Sequence, residues 1–145
     1  MELETMQALC NGGRYAAIGL SAIGSAIGIG MAGMAAIGAM KKLYAQNKPA
    51  PFMLVAFTGF PISQTLYGLI TMFLLSDNAQ NYPQSLLVGI FCGLAMGASA
   101  MFQGKAAACA CDALAETGKG MTNYISILGI IETVAIFAFV FILMI

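Results

Sequence analysis

The chain has 145 residues, of which 60% are hydrophobic and only 8% charged, with six basic and six acidic residues and no His or Trp. A soluble domain carries about 25% charged residues, so this composition excludes an ordinary soluble domain, and the cancelling charges argue against a nucleic-acid partner. The start, MELETMQALC, is acidic and lacks the basic segment of a signal peptide, so none is expected.

Four apolar stretches follow one another. The first runs from Tyr15 to Met40 and ends at a basic link, Lys41 to Pro51, that also holds Lys42 and Lys48. The second runs from Phe52 to Leu75, followed by a polar link, Ser76 to Gln84, with Asp77 and Pro83. The third runs from Ser85 to Cys111, and Asp112 to Lys119 form a charged link. The fourth runs from Met121 to Ile145. Each exceeds the ~20 apolar residues that cross a bilayer. Lipid offers the backbone no hydrogen bonds, so each should be a helix. The expected fold is an all-α membrane protein of four transmembrane helices.

The basic residues orient it. Links one and three carry Lys41, Lys42, Lys48 and Lys119, with Lys105 near the third helix end, whereas link two carries none and the N-terminal tail only Arg14. The positive-inside rule puts links one and three in the cytoplasm and both termini outside; Lys105 can snorkel to the cytoplasmic side.

The chain repeats. Helices one and three are rich in glycine (Gly19, Gly24, Gly28, Gly30; Gly89, Gly93, Gly97, Gly104), while two and four carry bulky residues (Phe57, Phe60, Tyr67; Phe137, Phe139, Phe141). The segment Gly59-Phe-Pro-Ile-Ser-Gln-Thr65 aligns with Ile127-Leu-Gly-Ile-Ile-Glu-Thr133, placing Gln64 opposite Glu132. This reads as a single membrane domain, 1–145, made of two similarly oriented hairpins, 12–76 and 84–145. Small faces let membrane helices approach closely, and so many glycines suggest a ring walled inside by helices one and three. Cys10, Cys92, Cys109 and Cys111 read as small apolar packing groups, since Cys109 and Cys111 point to different sides of a helix and no His is present.

Glu132 is the main functional signal. It lies about 12 residues into the fourth helix, roughly 18 Å deep. A charge at that depth costs at least about 2.5–3.5 kcal/mol and marks function by default. Phe60, Ser63, Gln64 and Tyr67 share one face of helix two by their spacing. Pro61 orphans the Phe57 carbonyl and should loosen that of Phe60. Gln103 falls at a similar depth on helix three, slightly nearer the cytoplasm. One carboxylate, two amides, a hydroxyl and a freed carbonyl form an all-oxygen set, the choice of hard cations.

The segments Phe-Pro-Ile-Ser-Gln-Thr-Leu-Tyr-Gly (60–68), Phe-Gln-Gly-Lys-Ala-Ala-Ala (102–108) and Ile-Glu-Thr-Val-Ala-Ile (131–136) resemble the rotor-ring proteolipid of V-type and A-type ATPases, in its sodium-binding bacterial form. The resemblance runs from about Gly19 to the C-terminus. It implies Na⁺ ligands at Glu132, Gln64, Gln103, Ser63 and the Phe60 carbonyl, with Tyr67 donating to the glutamate and Pro61 and Thr133 beside the site. Ser63 stands where the family's characterised sodium site has Thr. It further implies a multi-pass protein of the bacterial plasma membrane, a ring of identical subunits, a stator subunit supplying an arginine, central-stalk subunits and no organic cofactor. ATP chemistry would lie on other subunits: this chain is not expected to be an enzyme and has no Gly-Lys-Ser/Thr phosphate loop. The alternatives are the same rotor carrying H⁺ and a small autonomous ion transporter.

Overall fold

A computed structural model describes residues 2–144. Helix α1 runs Leu3–Ala45. The second span is α2, Met53–Gly59, a 3₁₀ turn at Phe60–Ile62, and α3, Ser63–Leu74. A short turn, Ala79–Asn81, leads into α4, Tyr82–Thr117, and then α5, Met121–Ile142. These give four helical spans long and apolar enough to cross a membrane. There is no strand among the described residues.

Two helices outrun their apolar stretches. α1 starts twelve residues before Tyr15 and continues through Lys41 and Lys42, and α4 continues past Asp112 to Thr117. Hydropathy marks where lipid ends, whereas a helix ends where its backbone is turned. The N-terminal extension is also tied down. Gln7 donates to the Asp77 carbonyl (2.9 Å), the Cys10 thiol to that of Ser76 (3.1 Å) and Arg14 Nε to that of Met72 (3.1 Å). At the other end, Gly118 has φ +65° and Gly120 φ +87°, a left-handed conformation that only glycine enters freely, and the chain turns there into α5.

The tightest packing joins α1 to α4. A Cβ on Gly24 would collide with the Gly97 backbone, one on Gly13 with Ser85, and one on Gly28 with Ala100. Gly104 in turn lies on Gly28, and Gly89 on Gly13. Residue numbers rise together along both helices, so α1 and α4 run parallel. The second and fourth spans do likewise: Phe57 meets Tyr124 edge-on and Tyr67 stacks on Phe139. α2 and α3 flank the central pair beside α1, and α5 lies on α4 and α3.

Two apolar clusters divide the interior. One gathers Ala32, Ala36, Leu54, Phe57, Ala107, Cys111 and Leu128. The other holds Ala17, Leu75, Met96, Ala135 and Ile142. The polar side chains of α3, α4 and α5 sit between them.

Candidate ion-binding site

Pro61 sets the local backbone of the second span. It enters near the start of the 3₁₀ turn Phe60–Ile62, where its missing N–H matters least, and its buried ring lies against Gly28 of α1. α3 then presents Gln64 inward and fully buried, with Ser63 and Tyr67 half-buried on either side.

From there a chain of hydrogen bonds crosses three helices. Ser63 Oγ lies 3.1 Å from the Phe60 carbonyl and 3.2 Å from Gln64 Oε1, one hydroxyl proton facing two acceptors. Gln64 Nε2 donates to Gln103 Oε1 at 2.8 Å. Gln103, also fully buried, donates through Nε2 to the Leu128 carbonyl (3.0 Å) and to Glu132 Oε2 (3.3 Å). Tyr67 donates to Glu132 Oε1 at 2.8 Å, and its ring is held by the stack on Phe139 at 5.7 Å. Both carboxylate oxygens therefore have a donor. The site also offers the Gln64 amide oxygen, the Ser63 hydroxyl and the Phe60 carbonyl.

The sequence-derived residues Glu132, Gln64, Gln103, Ser63, Tyr67 and the Phe60 carbonyl thus come together, with Pro61 behind them. Thr133 does not join them. It is exposed, and its hydroxyl turns back to the Ile130 carbonyl at 2.6 Å. One helical residue is a rotation of about 100°, which carries Thr133 away from the face that Glu132 occupies. Of the two carbonyls that the proline argument raised, that of Phe60 lies beside the Ser63 hydroxyl.

Sequence reasoning passes over two contributors. Ser99 Oγ donates to the Ile131 carbonyl at 3.0 Å, pinning α5 one residue before Glu132. Its place one turn before Gln103, on the same face of α4, is the signal that could have found it. The Leu128 carbonyl, one turn before Glu132, anchors Gln103 and leaves no mark in a sequence.

Glu132 itself is half-buried rather than sealed. A shallow cleft lined by Ala56, Gly59, Phe60, Ile62, Ser63 and Glu132 opens beside it, between α2 and α5. The carboxylate is therefore reachable from the outer side of the bundle, while the two amides behind it are not. An acid with a buried inner wall and an open outer face can take up and release a small cation or a proton.

Comparison with curated proteins found none that matches the chain. Residues 86–145 match the family model of the ATP synthase C subunit. The matched segment, less than half of the chain, is the second hairpin, with both Gln103 and Glu132. That hairpin is similar to a family of non-catalytic rotor proteolipids of ATP synthases.

Proposed function

We propose that this protein is the rotor-ring component of a V/A-type rotary ATPase and that it carries Na⁺ across the membrane on Glu132. The observation that carries this reading is the fully buried amide pair Gln64–Gln103 running into the carboxylate. A proton carrier needs an acid and, at most, one donor such as Tyr67. Of the two desolvated amides, Gln64 turns its oxygen to the Ser63 hydroxyl and Gln103 its oxygen to Gln64, and a cation that exchanges its water for protein oxygens would take these oxygens over.

The mechanism follows from the cost of charge in lipid. An ionised, empty Glu132 is expensive at this depth, and a loaded or protonated one is not. A loaded copy can pass along lipid; an empty one is held where a cation compensates it. The stator would supply that cation as an arginine. Central-stalk subunits would couple ring rotation to ATP chemistry elsewhere. When the ion leaves, Tyr67 and Gln103 can hold the bare carboxylate through one donor on each oxygen.

A carbodiimide attacks a protonated carboxyl group, so it tests the ion directly. It should modify Glu132, and Na⁺ should slow the modification, most clearly at mildly acid pH where the proton competes. Potassium at equal ionic strength should protect less. Ser63→Ala should weaken the sodium effect only a few-fold, about the worth of one neutral hydrogen bond. Labelling that follows pH alone over a wide sodium range would overturn the sodium reading and leave a proton rotor.

The lysines assign the orientation in this reading: the Ala45–Met53 and Thr117–Met121 links face the cytoplasm and both termini face outward. A membrane-impermeant thiol reagent applied from outside should reach Asn78→Cys and not Lys48→Cys. The reverse pattern would invert the topology.

A further inference from the structure

We infer that Ser25 positions the ion site from α1: when a cation takes over the amide oxygens, the Ser25 hydroxyl accepts from Gln64 Nε2 and holds the Gln64 oxygen on the ion. This role rests on the sodium reading above and names the residue that steers one of its ligands.

Two buried polar groups are left over at one level of the bundle. Ser25 is only 2% exposed, and its hydroxyl has no hydrogen-bond partner among the described residues. Ser21, one turn earlier, donates back to the Ile18 carbonyl at 2.9 Å; Ser25 makes no such return. Gln64 is fully buried as well. An amide nitrogen carries two hydrogens. Gln103 Oε1 takes one from Gln64 at 2.8 Å, and among the described residues that nitrogen has no second acceptor. A desolvated donor or acceptor without a partner is costly, and such groups are few in folded proteins.

The register brings the two together. α1 and the second span run antiparallel: a Cβ on Gly28 would stand 3.0 Å from Pro61 Cβ, and one on Gly68 would strike the Ser21 hydroxyl. Ser25 lies three residues from Gly28 and four from Ser21, while Gln64 lies three from Pro61 and four from Gly68. On each side the three positions fall on one helical face. Ser25 therefore stands at the level of Gln64, on the face of α1 that meets the second span. Thr71 also has a buried hydroxyl without a partner among the described residues. It is seven residues along α3 from Gln64, about 10 Å away and beyond a glutamine's reach.

A cation gives this hydroxyl its use. In the structure Gln103 Oε1 accepts from Gln64. A cation bound to that oxygen repels the amide hydrogens aimed at it, which carry positive partial charge. The Gln64 NH2 then gains by leaning toward α1, where Ser25 offers an unengaged oxygen. Ser25 can point its own proton back at the Ser21 carbonyl, one turn earlier, which leaves its oxygen free to accept. The oxygen and nitrogen of an amide sit on opposite arms of one plane, so fixing the nitrogen on α1 turns the oxygen toward Ser63 and the ion. A proton on Glu132 puts no charge on the Gln103 oxygen and makes no such demand.

The test uses the full chain in native membranes, with carbodiimide labelling of Glu132 as the readout. Ser25→Ala favours a helix and removes a hydroxyl that bonds nothing in the structure, so folding and oligomer mass should not change. Without sodium, the pH profile of labelling should match that of the unaltered protein. The sodium concentration giving half protection should rise about 3–10-fold, the worth of one neutral hydrogen bond. In the Gln64→Leu background, Ser25→Ala should add nothing, because the hydroxyl acts through that amide. Three results overturn this role and leave the sodium reading standing: unchanged sodium protection in Ser25→Ala, an equal loss in the Gln64→Leu background, or a shifted pH profile without sodium. Labelling that ignores sodium in the unaltered protein overturns the sodium reading, and this role with it.

Discussion

Glu132→Gln is expected to abolish both carbodiimide labelling and ion transport. The amide fills the same space and its oxygen still accepts from the Tyr67 hydroxyl. Its NH2 loses the longer bond from Gln103 Nε2, which keeps the Leu128 carbonyl, so packing around α5 should change little. What it loses is the second charge state. A carrier on a rotor must be tolerable in lipid when loaded and held at the stator when empty, and a neutral side chain cannot alternate between the two. Other acids, such as Glu116 and Asp112, lie at helix ends in the charged link region, so none replaces it at mid-membrane. Transport should fall to background in reconstituted vesicles while the oligomer survives in mild detergent. Residual sodium-dependent transport in this variant would place the carrier elsewhere.

Gln103→Leu should be the second largest loss, and of a different kind. Glu132 stays reactive to carbodiimide, but the sodium concentration needed for protection rises by about 10–100-fold, the equivalent of the ~1–3 kcal/mol at stake when a buried polar partner is lost. Among the described residues, Gln103 is the only side chain bonded to both Gln64 and Glu132. Removing it also strips the donor from the Leu128 carbonyl. Gln64→Leu should weaken protection by a similar mechanism but without freeing that carbonyl. If Gln103→Leu left sodium protection unchanged, the amide pair would be packing and not ligand.

The parts of this site that a sequence can show are those that periodicity or polarity marks. Phe60, Ser63, Gln64 and Tyr67 fall on one face because 3.6 residues make a turn, and the structure keeps them there. Glu132 stands out because lipid makes a carboxylate costly. Gln103 is reachable only by counting depth from the helix end. Ser99 escapes because a hydroxyl in a small-residue helix looks like one more small residue, and the Leu128 carbonyl because every residue has one. Thr133 draws notice for its place next to Glu132, and adjacency in sequence is not adjacency on a helix. The glycines are plain in the sequence, but their division is not. Whether Gly24 or Gly30 meets α4 depends on the rotation of α1, which local pattern does not fix. Hydropathy likewise sets the lipid-facing lengths of α1 and α4 and misses their polar extensions.

In the proposed rotor, the contact of α1 with α4 has a mechanical meaning. Where Gly24 meets Gly97 and Gly28 meets Gly104, backbone rests on backbone. Such a seam has no rotamers to yield and little free volume to take up. It should resist torsion and pass a twist along the wall with little loss of angle. The fourth span is mounted otherwise, through side chains: Leu128, Tyr124 and Phe139 pack it against its neighbours, and Ser99 and Gln103 bond to its backbone. Glu132 thus hangs on side-chain contacts and not on a backbone seam. In that rotor the backbone seam would carry the load, while the proposed ion carrier would hang on contacts that can rearrange as the ion leaves.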